Sequence, residues 1–138
     1  AYAEFGRELG MGFQIRDDIL GIWGMESQTG KPSGGDIRRR KKSLPVLLAL
    51  QEASPGARAY LSALYARTSD LTGDQESDVR GILEECRAQA LAQRYADLHG
   101  QRALSALTNA AGGPEARRDN PFLAALEQLT GFATTRTG

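Results

Sequence analysis

Apolar residues recur every three or four positions along most of this chain, a spacing that predicts helices rather than strands. Over residues 2–23, Phe5, Leu9, Gly12, Phe13, Asp17 and Leu20 follow it, and a first helix is expected there. Residues 24–42 break the pattern with glycines, lysines and arginines and predict a loop. Ser43 reads as an N-cap, with Leu44-Pro45 in the first turn of the next helix. That helix, through Val46 and Leu50, is apolar nearly all round, the pattern of a buried element. Ser54-Pro55 repeats the cap-then-proline signal before Tyr60, Leu61, Leu64 and Tyr65.

Further on, residues 70–77 are polar and predict a turn, and Val79, Ile82, Leu83 and Cys86 predict a short helix. A long helix to about Ala110 is expected to bury Leu91, Tyr95, Leu98, Ala103, Leu104 and Leu107 until Gly112-Gly113-Pro114 stops it. Asn120-Pro121 opens a last helix, with Phe122, Leu123, Leu126, Leu129 and Phe132 expected inward. No segment alternates with period two and no internal repeat is seen, so the predicted class is all-α.

Composition narrows this only slightly. The 138 residues carry a formal charge of zero, so any anion site must be local. No apolar run approaches the ~20 residues of a bilayer span, and no transmembrane segment is expected. Cys86 is the single cysteine; it predicts a reducing, cytoplasmic setting and a small buried side chain rather than a reactive thiol. The chain opens without Met on what reads as helix interior, so a piece of a larger domain is expected. The basic run Arg38–Lys42 has no interleaved aromatics, and nucleic acid is not an expected partner.

The chemistry concentrates on the first helix. Gln14, Asp17, Asp18 and Gly21 are spaced to share one face. Adjacent carboxylates on an otherwise apolar helix need charge partners or cations. Such hard oxygen ligands suit Mg²⁺, which takes one or two carboxylates together with phosphate oxygens and water. Gly30-Lys31-Pro32, Asp36 and the Arg38–Lys42 run follow closely. Carboxylates, a cation and nearby lysines are the set that would neutralise a departing diphosphate. Lys41 is expected to face this site, with Arg39, Arg40 and Lys42 solvated. His99 is expected on a helix surface, Asp74, Glu76, Asp78, Glu84 and Glu85 on solvated faces, and Trp23 in packing.

These residues carry a resemblance. Phe13-Gln14, then Asp17-Asp18, Gly30-Lys31-Pro32, Asp36, Lys41-Lys42-Ser43-Leu44-Pro45 and Ala49-Leu50 resemble, in order, the pattern of the isoprenyl (polyprenyl) diphosphate synthase family. The match spans residues 5–50 and includes the second aspartate-rich motif of that family. It implies that residues 1–138 are a C-terminal portion of the family's helical bundle: an aspartate-rich helix (1–23), a Gly/Lys/Arg loop (24–42) and C-terminal helices (43–138).

By this resemblance the complete enzyme is a homo-oligomeric prenyltransferase that condenses isopentenyl diphosphate with an allylic diphosphate. Asp17 would bind Mg²⁺ on the allylic diphosphate, with Asp18 as a second or water-mediated ligand. Gln14 would lie beside the allylic substrate, Phe13 near its channel, though packing within the bundle is the plainer expectation for that ring. Lys31 and Lys41 would grip diphosphate oxygens, Asp36 would anchor the loop and Ser43 would cap a helix. The sequence departs from the pattern at Gly21, where the motif has a third aspartate. The first aspartate-rich motif is also absent, so the chain alone is expected to be inactive. A non-catalytic partner subunit, or a class I terpene cyclase, are the rival readings; the lysine loop and Lys41–Pro45 segment argue against the cyclase.

Overall fold

Every regular element that the computed structural model describes, over residues 1–30 and 33–135, is helical. Helix α1 runs Tyr2–Trp23, as its periodicity predicts. The expected loop 24–42 instead holds two single-turn helices, α2 (Glu26–Thr29) and α3 (Gly35–Arg38). Then follow α4 (Leu44–Glu52), α5 (Pro55–Tyr65), α6 (Gly73–Glu85), α7 (Ala88–Ala110), α8 (Pro114–Arg118) and α9 (Pro121–Thr135).

The start of α6 corrects the expected turn over 70–77. Thr72 and Gln75 form a capping box: the Thr72 hydroxyl accepts from the Gln75 N–H at 3.2 Å while the Gln75 side chain accepts from the Thr72 N–H at 3.0 Å. This satisfies orphan N–H groups and lets a polar segment be helical. Ser54 caps α5 as its sequence predicts, its hydroxyl accepting from the Ala57 N–H.

The residues form two compact units. Asp17–Ala92 make one. Its core joins Ile22, Ile37, Val46, Ala49, Leu61, Leu64, Tyr65, Val79 and Leu83, with Trp23 and Cys86 partly buried against it. Leu47 is half exposed, so α4 is not buried all round.

Residues 1–16 and, among the described residues, 93–135 make the other unit. Phe5, Ala103, Ala106, Leu107 and Leu123 form its core. The helices approach closely where side chains are small: a methyl group at Gly12 or Gly100 would press on Thr134 of α9. Tyr95 and Leu98 on α7, and Phe122, Leu129 and Phe132 on α9, are exposed rather than inward. Small residues, Ala96, Gly100 and Ala103 on α7 and Thr130 and Thr134 on α9, take the buried positions instead. His99 corrects another expectation: it is largely buried, its Nδ1 2.6 Å from Glu8 Oε2. The same unit buries Arg16, which donates to Gln93 Oε1, while Gln93 donates to Asp97 and to the Thr134 carbonyl.

Candidate functional site

Asp18 lies on the buried side of α1, one turn before Ile22, and is 7% exposed. A carboxylate there requires partners, and both oxygens have one. Oδ2 accepts from the Leu44 backbone N–H at 3.1 Å, and Oδ1 sits 3.2 Å from Lys41 Nζ. Asp18 therefore caps α4 from another helix. Ser43 occupies the N-cap position, but its hydroxyl makes no cap bond and is buried without a hydrogen-bond partner among the described residues. The expected role of Ser43 thus falls to Asp18, because the α1 carboxylate already faces the first turn of α4.

Lys41 reaches Asp18 because of how α3 ends. The Lys41 N–H donates to the Asp36 carbonyl and the Arg40 N–H to the Ile37 carbonyl, both at 2.9 Å, a Schellman turn with Arg40 in the left-handed region at φ 57°. The turn folds the chain back so that Lys41 Nζ also lies 3.6 Å from Asp36 Oδ2. Burial opposes the Lys41 charge, but the Asp18 hydrogen bond and the charges of Asp36, Asp18 and Asp17 outweigh it. The ammonium is held above its ordinary range.

Asp36 is itself buried and paired with Arg39 at 3.1 Å. Its carboxylate fills the space beside Gly21, where a methyl group on α1 would overlap it. Burial, and then the Asp36 charge, push the Tyr65 hydroxyl up to about 12, and that hydroxyl has no hydrogen-bond partner among the described residues. Gly34, at φ 80°, opens α3 from a backbone region that favours glycine, and the Glu76–Arg80 pair occupies the place of its missing side chain.

The basic run is mostly structural. Arg38 pairs with Glu76 at 3.3 Å, so Glu76 is not simply solvated. Arg40 is turned inward, contrary to expectation, donating to the Arg67 carbonyl and, at 3.2 Å, to the Thr68 carbonyl. Arg39 and Lys42 are exposed.

The predicted site residues are divided between the two units. Asp18 and Lys41 are brought together with Asp36, and Asp17 is exposed on α1 within electrostatic reach of Lys41. Phe13, 57% exposed, and Gln14 belong to the first part of α1, in the other unit, so Phe13 does not pack in a core. Lys31 lies outside the described residues. Sequence reasoning missed Tyr65 and the capping role of Asp18. Neither has a local signal, since both depend on partners far along the chain.

No group of three or more His, Cys, Asp or Glu side chains among the described residues could hold a metal by itself. The donor set therefore fits a Mg²⁺ that brings phosphate oxygens and water, with a single exposed carboxylate, Asp17, from this part of α1. Two open hollows, at Gly112–Arg118 and at Leu104–Asn109, contain neither Asp18, Asp36 nor Lys41.

Residues 1–85 match the family profile described as polyprenyl synthetase. The chain belongs to this family. It is 40% identical over 129 residues to a geranylgeranyl diphosphate synthase of Mycobacterium tuberculosis, covering 94% of this chain and 35% of that relative. A (2E,6E)-farnesyl diphosphate synthase of Mycobacterium bovis is 39% identical over 87 residues, covering 62% of the chain and 24% of the relative.

Among solved structures of the family, a polyprenyl synthase of Caulobacter crescentus complexed with calcium and isoprenyl diphosphate superposes with TM-score 0.81 at 29% identity. That match covers 98% of this chain and 39% of the other. A geranylgeranyl pyrophosphate synthase of Corynebacterium glutamicum complexed with isoprenyl diphosphate and magnesium gives 0.78 at 26% identity, covering 96% and 36%. The all-α class read from the periodicity is thus the fold of the family. The chain spans about a quarter to a third of the length of the curated relatives it matches.

Proposed function

We propose that this chain is the part of a trans-isoprenyl diphosphate synthase, of farnesyl, geranylgeranyl or polyprenyl type, that bears the second aspartate-rich motif. In the complete enzyme it would act on an allylic diphosphate, with isopentenyl diphosphate as the other substrate. The observation that carries this reading is Lys41. Its ammonium is held charged between Asp18 and Asp36, within reach of the exposed Asp17.

Mg²⁺, when bound, would neutralise charge on the diphosphate as it leaves. Asp17 would hold the metal. Asp18, occupied by Lys41 and α4, would support it through water or through Lys41. Lys41 would donate to a diphosphate oxygen, and Lys31 would do the same from the loop. Gln14 would orient the allylic carbon and Phe13 would line its approach. Relatives whose solved structures carry isoprenyl diphosphate with magnesium or calcium support this assignment.

A homo-oligomeric, cytoplasmic enzyme fits the exposed Phe122, Leu129 and Phe132 and the lack, among the described residues, of any helix long and apolar enough to cross a membrane. The 138 residues alone would not turn over. A non-catalytic subunit is the second reading, favoured by Gly21 in place of a carboxylate.

Calorimetric titration with inorganic pyrophosphate, with and without Mg²⁺, tests the proposal. Binding should require Mg²⁺, disappear in Asp17→Asn and weaken at least about tenfold in Lys41→Ala, as expected for loss of a charge-assisted contact. Pyrophosphate binding that ignores Mg²⁺ and Asp17 would overturn it.

A further inference from the structure

Asp18 comes from α1 and Lys41 from the turn that ends α3, with residues 24–34 between the two helices. Their 3.2 Å approach therefore depends on how α3 is seated against the end of α1. Two side chains of α6 do the seating. Arg80 donates to the Ile22 carbonyl at 3.1 Å, one turn after Asp18, where the last carbonyls of α1 have no partner inside the helix. A cation at a helix C-terminus is favoured there by the helix dipole as well. The same guanidinium lies 3.7 Å from Glu76 Oε1, and both side chains fill the place of the side chain that Gly34 lacks, at the start of α3. The other Glu76 oxygen accepts from Arg38, the last residue of α3, at 3.3 Å.

One carboxylate thus meets α3 at both ends and, through Arg80, meets α1. An isolated exposed ion pair would do little, but the Glu76 side chain is only 14% exposed and both its oxygens are paired. We propose that Glu76 and Arg80 are positioning residues for diphosphate binding: they set α3 against the end of α1 and act through Lys41. This rests on the proposed function, because the site they would serve is the one assigned there.

The first test needs no ligand. The Leu71 N–H donates to the Arg38 carbonyl at 3.2 Å, so its hydrogen exchange reports how firmly α3 is seated. Glu76→Gln keeps the volume and removes the charge, and should speed exchange at Leu71 at least about tenfold. Tyr60→Phe is the control. It removes a 2.6 Å hydrogen bond from α5 to Asp78 of the same α6 and should leave Leu71 unchanged. Unchanged exchange in Glu76→Gln would overturn the seating.

The second test titrates inorganic pyrophosphate in the presence of Mg²⁺. Glu76→Gln and Arg80→Met should each weaken binding about tenfold, as for other residues that orient a ligating group. Tyr60→Phe should not. In a Lys41→Ala background the same two substitutions should cost less than about twofold, because the group they act through is gone. Equal losses in both backgrounds, or affinity unchanged by either substitution, would overturn the positioning role. If the unsubstituted chain binds no pyrophosphate at all, the proposed function fails. The Leu71 exchange still decides whether Glu76 seats α3.

Discussion

At Asp18 two demands meet on one carboxylate: it compensates the Lys41 charge and it ends the row of orphan N–H groups on α4. Removing it should cost about 2 kcal/mol, the sum of a lost cap and a lost charged hydrogen bond. Urea unfolding of Asp18→Ala should show this loss. Asp18→Asn, which keeps an acceptor for the Leu44 N–H, should lose about half as much. Tyr65 presents the opposite case. Its hydroxyl is buried and has no partner among the described residues, so Tyr65→Phe should be neutral or stabilise by up to about 1 kcal/mol in the same assay. The pairing need of Asp17-Asp18 was legible from two carboxylates on an apolar helix. Which of them is buried was not, because that depends on the direction from which α4 arrives.

Among the helices, local signals worked where a cap or a breaker was decisive. The bounds of α1 and the Ser54 cap of α5 follow from periodicity and capping chemistry. The start of α6 could have been read from Thr72 and Gln75, a capping-box pair hidden by the polarity of the segment around it. α9 was misread for a different reason. Leu123 is buried and Leu126 packs against the same core as expected, but where α9 nears Gly12 and Gly100 the side chain that faces them is the small Thr134. The junction of α6 and α7 carries a testable strain. Arg87 is exposed and sits at φ 55°, a left-handed conformation that glycine adopts freely. Arg87→Gly should stabilise the chain by about 0.5–1 kcal/mol, read as a higher urea midpoint at unchanged slope. Arg40 shares that conformation but should not behave alike, since its guanidinium ties α3 to the Arg67 and Thr68 carbonyls.

For the molecule as a whole, the two units meet the limits of pH through different pairs. The hydrogen bond from His99, opposed by burial and aided by the charges of His99, Arg102 and Arg7, lowers the Glu8 carboxyl below its ordinary 4.5. A depressed acid stabilises above its unfolded pKa, and that contribution is lost as pH falls through the lower folded value. Lys41 is raised above 10.5, so its contribution is complete below 10.5 and is lost as pH climbs through the raised value. Glu8→Gln should remove part of the acid limb only and Lys41→Met part of the alkaline limb only, as followed by circular dichroism across pH. An acid limb unchanged in Glu8→Gln would show that the Glu8–His99 pair does not govern it.

Helical class, most helix bounds and the family motif were all written in local spacing, because capping, periodicity and motif order are properties of neighbouring residues. What awaited tertiary structure was the use of each charge. Asp18 became a cap, Arg40 turned inward, His99 found Glu8, and Asp36 came to rest where Gly21 leaves space. Each of these depends on a partner brought from elsewhere in the chain, and burying a charge is tolerable only after that partner has arrived.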